Sequence, residues 1–171
     1  MNDACGGETV TECGHHLQHR AEYSANAARI SALTRDLSEL LPGIAPLLQG
    51  KLTNVHKGVV AFHPPCTLQH GQQLRGGVET HLRALGFDVR VAINESHLCC
   101  GSAGTYSVLQ PELSKQLRER KLGHLMGERG AERPTAILSA NIGCIPHLQA
   151  GTELPVRPWV ERLDAALQTP R

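Results

Sequence analysis

The sequence predicts an α/β fold: a parallel sheet of about four strands flanked by helices and preceded by an N-terminal helix. Three observations predict it. Short runs rich in Val, Ile and Phe alternate with longer stretches whose apolar residues recur at helical spacing. Aromatic residues are only 3% of the chain against 40% hydrophobic residues, so Leu, Val, Ile and Ala must build the core, as they do where helices pack on a sheet. The order of the runs, β-α-β-α-β-α-β-α, is that of strands joined by helical crossovers, which makes the strands parallel. At 171 residues the chain is long enough for one domain with a substantial core.

The chain opens with Cys5-Gly6-Gly7 and Cys13-Gly14-His15-His16 in a short Gly- and Thr-rich stretch with no preceding element to anchor them. Asn2-x-x-Cys5 echoes Asn141-x-x-Cys144 near the other end. The expectation is that residues 1–20 are the tail of an earlier, truncated cysteine-rich unit and that the chain is a fragment of a longer protein. From Ala21 to Leu41, the spacing of Ile30, Leu33, Leu37, Leu40 and Leu41 predicts one amphipathic helix, stopped by Pro42-Gly43. A linker or short helix with Pro46 and Gly50 completes a helix-and-linker segment, 21–57.

Residues 58–171 are expected to form the main domain. Val59 to Phe62 read as a buried strand ending at Pro64-Pro65-Cys66. A helix with Leu74, Val78, Leu82 and Leu85 on one face follows, closed by Gly86 at the position past its C-cap. Phe87 to Ile93 is the next strand, and a loop then carries Leu98-Cys99-Cys100-Gly101-Ser102-Ala103-Gly104. Helical periodicity runs through Leu109, Leu113, Leu117, Leu122 and Leu125, with a break near Pro111, since the residue before a proline favours extended geometry. Within it, Arg118-Glu119-Arg120-Lys121 alternates in sign and reads as a solvated face. After a Gly- and charge-rich loop over 127–134 come a strand at Ala136-Ile137-Leu138, a turn at Asn141 to Cys144 and a short helix near His147–Gln149. Leu154-Pro155-Val156 predicts a last strand, and Pro158 the first residue of a terminal helix with Val160, Leu163 and Leu167 inward.

Composition excludes several functions. The formal charge is +1, with 17 basic and 16 acidic residues well mixed, so no nucleic-acid partner is expected. No apolar stretch approaches the ~20 residues that span a bilayer, and the first residues lack a signal peptide's basic start and apolar run. Six cysteines without an export signal are expected to be metal ligands or redox thiols in a reducing compartment. No Walker-type loop, no GxGxxG and no Ser–His–Asp spacing is present.

Cys66, Cys99 with Cys100, and Cys144 each follow the carboxyl end of a predicted strand, the edge where open α/β sheets build their sites. Three distant segments would therefore bring sulfurs to one rim. The short C-x-x-C knuckles of zinc modules are absent, as are ferredoxin runs. A disulfide between the vicinal Cys99 and Cys100 would be strained, because adjacent Cα atoms are only ~3.8 Å apart. Four thiolates on one rim match the ligand count of a Cys₄ iron–sulfur cluster, with the 4Fe–4S type expected. Gly101 and Gly104 would let backbone N–H groups approach the sulfurs. His63, His97 and His147 lie near these cysteines in sequence; each can donate a hydrogen bond to sulfur, replace a thiolate, or simply pack locally. Cys5 and Cys13 are not assigned to the site. His15, His16 and His19 have no metal-binding partners in view, and Tyr106 and Trp159 read as core or interface residues.

The pattern Cys66…Cys99-Cys100-Gly101…Asn141-x-x-Cys144 resembles the cysteine-rich CCG domain of heterodisulfide reductases and their relatives. The words around it, Val60-Ala61-Phe62-His63-Pro64-Pro65-Cys66-Thr67-Leu68-Gln69-His70-Gly71-Gln72, Ser96-His97-Leu98-Cys99-Cys100-Gly101-Ser102-Ala103-Gly104-Thr105-Tyr106 and Ala140-Asn141-Ile142-Gly143-Cys144, resemble the iron–sulfur subunits of glycolate oxidases. That resemblance implies an electron-transfer subunit whose cluster is held by Cys66, Cys99, Cys100 and Cys144. It implies electrons arriving from a flavin-containing partner that oxidises glycolate to glyoxylate and leaving toward membrane quinone. A cytoplasmic location, peripheral on the inner membrane, goes with it. It also implies two ferredoxin-type clusters and two cysteine-rich units in the whole subunit. The preference for glycolate over D-lactate rests on the resemblance alone. One departure matters: the fuller pattern ends in C-x-x-C, and Asn141 stands in the first of those places, leaving four candidate ligands instead of five. A single cluster and an empty site both stay open. Two other readings are a heterodisulfide reductase-like thiol redox protein and a structural zinc module that docks a partner.

Overall fold

The structure is a computed structural model and describes residues 3–53, 55, 57–92, 94–128 and 130–167. Helix α1 (Ala4–Thr11) begins where Asp3 accepts a hydrogen bond from the Gly6 N–H at 2.9 Å, so the opening stretch is helical despite its glycines. After a short α2 (Cys13–His16), the expected single helix over 21–41 is two helices, α3 (Ser24–Leu33) and α4 (Leu37–Leu48). The break is a capping box. Asp36 Oδ1 accepts from the Ser38 N–H at 2.8 Å, and Glu39 Oε2 accepts from the Asp36 N–H at 2.7 Å. Pro42-Gly43 does not end α4, which carries both Pro42 and Pro46 on exposed positions. Ile30 and Leu33, expected inward, are exposed, while Ala27 is the buried residue of α3.

Strand β1 (Val60–His63) leads through a π-helical turn (Thr67–Gly71) to α5 (Gly77–Ala84) and β2 (Val89–Val91). Helix α5 ends in a Schellman arrangement. The Gly86 N–H donates to the Arg83 carbonyl at 2.9 Å and the Phe87 N–H to that of Leu82 at 3.1 Å, with Gly86 at φ +95°. Next come α6 (Tyr106–Leu109), α7 (Pro111–Met126), β3 (Ala136–Ser139), α8 (Cys144–Gln149), β4 (Val156–Pro158) and α9 (Trp159–Leu167). The break between α6 and α7 falls at Gln110, before Pro111, as its sequence requires. Pro158 closes β4 opposite Ser139, so the terminal helix starts one residue later than expected.

The sheet has four parallel strands in the order β2-β1-β3-β4, in agreement with the predicted fold class. Both faces are covered, which is why the strands read as continuous apolar runs. Val60, Phe62, Val89 and Leu138 point to a core completed by Leu41, Leu82, Trp159 and Leu163 from α4, α5 and α9. Ala61 and Ile137 point the other way, to Leu122, Leu125 and Leu148 of α7 and α8 and to Cys100 and Cys144. The cysteines thus belong to one face and one end of the sheet. Trp159 is a core residue, as expected. No described helix is long and apolar enough to cross a membrane.

Candidate metal centre

Parallel strands put all their carboxyl ends on one edge, and the three cysteine segments start there. Cys66 ends the Pro64-Pro65 exit from β1 and caps the π-helical turn; such turns are rare and often sit at functional sites. Cys144 is the first residue of α8. Cys99 and Cys100 come from the loop after β2, where Gly101 takes φ +98°. A side chain at Gly101 would also collide with the Ser114 carbonyl oxygen of α7. Glycine is required there on both counts.

The four sulfurs meet. All are free thiols close enough to shift one another's acidity, Cys66 next to Cys99, Cys99 next to Cys100, and Cys100 next to Cys144. Cys100 and Cys144 are buried, and Cys66 and Cys99 are half-buried. The Ser102 hydroxyl lies 3.2 Å from Cys100 Sγ and donates to Cys144 Sγ at 3.6 Å. Crowding splits the acidities of the thiols. Hydrogen bonds from Cys100 and then Cys66 hold Cys99 well below the usual thiol range against its burial, helped by the Gly101 N–H, 3.3 Å from its sulfur. Cys144 is pulled down to about 5, first by Cys100, with neighbouring His63 and Ser102 adding to the effect. The bond to Cys99, then burial, pushes Cys66 up; bonds to Cys144 and Cys99, then burial, push Cys100 up. Each sulfur's acidity is thus set chiefly by its neighbouring sulfurs, as expected where thiols crowd together away from water.

Side chains brace the three segments against one another. Gln69 Nε2 donates to the Pro64 carbonyl at 2.8 Å and the Ser96 carbonyl at 3.0 Å, tying the Cys66 segment to the approach to Cys99. Asn141 Nδ2 donates to Thr67 Oγ1 at 3.3 Å, tying the Cys144 segment to the Cys66 turn. Its Oδ1 accepts from the N–H groups of Gly143 (2.8 Å) and Cys144 (3.1 Å). Asn141 is therefore a cap that aims Cys144. Ser114 Oγ donates to the Gly101 carbonyl at 2.7 Å and lies 3.4 Å from His147 Nε2, which places His147 behind the cysteine loop.

Sequence reasoning misread Lys121. The charge run it belongs to was expected to be a solvated face, yet Lys121 is 2% exposed. Its Nζ donates to the Glu95 carbonyl at 2.6 Å and the Ser96 carbonyl at 3.3 Å. Burial lowers its pKa, opposed by the negative charges of Cys100, Cys99, Glu95 and Cys144. A buried ammonium beside the thiolates offsets their charge. Ser102, Gln69 and Ser114 also lacked any signal as single residues, although Gln69 and Ser102 stand within the cysteine words.

The histidines separate clearly. His97 is exposed, and its carbonyl lies 3.0 Å from His70 Nε2. His63 is fully buried, and a ring nitrogen lies with Cys100 Sγ and Cys144 Sγ in a group whose members are within 4.8 Å of one another. Neither His63 nitrogen has a well-aligned hydrogen-bond partner, although the ring lies against Cys144 and lowers its thiol pKa. Orphaned imidazole nitrogens beside a set of soft sulfur donors fit a thiolate-bound metal centre. Among the described residues no such group forms around His15, His16 and His19. Cys5 is exposed on α1, which docks on this rim through the Ala4 N–H to the Ala140 carbonyl (2.8 Å) and the Ile142 N–H to Asp3 Oδ1 (3.2 Å). Burial, Asp3, Glu8 and Cys144 together raise its thiol pKa.

Comparison with known proteins agrees with this geometry. The family model for the cysteine-rich CCG domain matches residues 60–149, more than half of the chain. The chain is 44% identical over 162 residues to the glycolate oxidase iron-sulfur subunit of Escherichia coli (strain K12), covering 95% of this chain and 38% of that protein. It is 29% identical over 140 residues to lactate utilization protein A of Geobacillus kaustophilus (80% of this chain, 54% of that protein). It is 27% identical over 155 residues to a probable glycolate oxidase iron-sulfur subunit of Bacillus subtilis (strain 168), covering 86% of this chain and 32% of that protein. The chain thus spans between about a third and about half the length of these curated relatives. With its cysteine spacing, its glycine after the vicinal pair and its parallel sheet accounted for, the chain belongs to the cysteine-rich CCG domain family.

Proposed function

We propose that this chain is the cysteine-rich portion of an iron–sulfur electron-transfer subunit in a glycolate oxidase-type complex. The observation that carries the reading is the convergence of Cys66, Cys99, Cys100 and Cys144 on one rim, in a chain 44% identical to the glycolate oxidase iron-sulfur subunit of Escherichia coli. When bound, an iron–sulfur cluster supplies a one-electron carrier. The four cysteines would hold it. Gly101 and Ser102 direct N–H and O–H groups at the sulfurs, and Lys121 supplies a buried positive charge. Walls of Ala61, Ile137, Leu125 and Leu148 keep water from the face behind Cys100 and Cys144. In this reading the hydroxy acid is oxidised on a flavin-containing partner, electrons pass through this subunit, and membrane quinone receives them. The complex sits on the cytoplasmic side of the inner membrane.

The test is anaerobic assembly of the full-length subunit with its flavin partner, followed by visible absorbance. Glycolate bleaches the iron–sulfur bands if the reading holds, and D-lactate in parallel tells which hydroxy acid feeds the chain. Bands that dithionite bleaches but neither acid does would refute the electron route. A colourless protein with one zinc would instead support a docking module, and disulfide reduction without metal a thiol enzyme.

A further inference from the structure

His63 ends β1 and, by strand alternation, follows Ala61 onto the face that carries Cys100 and Cys144. It is 0% exposed, and both ring nitrogens lack a hydrogen-bond partner. Its ring faces the Cys144 sulfur, whose pKa it lowers, without a well-aligned hydrogen bond, and a buried imidazole so placed is normally met by an ion or another partner. Here one nitrogen and two sulfurs lie within 4.8 Å of one another, close to the spacing of donors on one metal ion. The donor set has a matching gap. Asn141 occupies a ligand place of the fuller cysteine pattern, but both ends of its amide are engaged, by Gly143, Cys144 and Thr67.

We propose that the His63 imidazole is a direct ligand of the iron–sulfur centre, a fifth protein donor beside Cys66, Cys99, Cys100 and Cys144, filling through nitrogen the fifth place of the fuller pattern that Asn141 leaves. The inference rests on the iron–sulfur reading above. A neutral imidazole in place of a thiolate removes one negative charge from the centre, which raises its reduction potential. It also gives a physical reason for a histidine at the end of a buried strand, where its polar atoms would otherwise be stranded.

The experiment is pulsed electron paramagnetic resonance on the anaerobically purified, dithionite-reduced full-length subunit, unlabelled and with ¹⁵N-histidine, and on His63→Cys. A strongly coupled histidine nitrogen is expected in the unaltered protein. It should change with the isotope and vanish in His63→Cys, which keeps its iron and sulfide while one centre moves to lower potential. A nitrogen signal that persists in His63→Cys overturns the assignment. So does a cluster in this domain with no coupled histidine nitrogen, a result that needs no variant and leaves the iron–sulfur reading standing. Absence of iron and acid-labile sulfide from this domain overturns both.

Discussion

Lys121 is a long cationic side chain turned inward from α7, where it donates to the backbone carbonyls of Glu95 and Ser96 and lies in the field of Glu95 and the cysteine sulfurs. A positive charge near a cluster stabilises the reduced form, which carries one more electron. Lys121→Met keeps much of the side chain's volume and removes that charge. The reduction potential of the centre in this domain should then fall, on the order of tens of millivolts, as read by redox titration; an unchanged potential would show that the ammonium serves only the loop. At the same scale, the places of Cys66, Cys99, Cys100 and Cys144 were legible because each follows a strand whose end is marked by Pro, Gly or Asn. Lys121 was not. An alternating charge run on a helix says nothing about which member turns inward, since that depends on where the loop's carbonyls come to lie. The role of Asn141 was half legible: a missing sulfur could be read from the spacing, but its use as a cap could not.

Among the elements, the strands were the easiest to read and the N-terminal helices the hardest. Four short apolar runs, each followed by a helical stretch, predict parallel strands joined by helical crossovers, although not the order in which they pair. Helix α1 contains Gly6 and Gly7 and has little intrinsic preference for helix. It is held by the Asp3 cap and by bonds to Ala140, Ile142 and Gln72, partners far away in sequence. The break between α3 and α4 lies at the capping-box spacing Asp36-x-x-Glu39, hidden by the apolar periodicity that runs through it from Ile30 to Leu41. The Asp36 carboxylate meets the N–H and hydroxyl of Ser38, at 2.8 and 2.7 Å. Asp36→Ala should therefore cost roughly 1–2 kcal/mol of stability, measured by urea denaturation, with no loss of iron, because α4 covers the opposite face from the cysteines. Loss of iron at full stability would contradict that separation.

Across the whole molecule, the sheet divides two tasks. One face is a large apolar core under α4, α5 and α9; the other is a smaller core that ends in sulfur. The rim above it consists of loops whose ties are a few side-chain bonds, from Gln69, Ser102, Ser114, Lys121 and Asn141. A bound centre should supply much of the rim's order, since it joins segments far apart in sequence. Anaerobic removal of the iron with a chelator should raise hydrogen exchange over residues 94–104 and 141–145 while β1 and β3 stay protected. Exchange that rises equally through the sheet would mean that the centre holds the entire fold.

The central claim is that one iron–sulfur centre draws its sulfurs from three separate segments. Iron and acid-labile sulfide content of the anaerobically purified full-length protein, compared with Cys66→Ser, Cys99→Ser and Cys144→Ser, tests it most directly. The account predicts that each variant loses the same complement of iron and sulfide while any other cluster is retained. Unchanged iron in all three variants, or losses that differ from segment to segment, would contradict it.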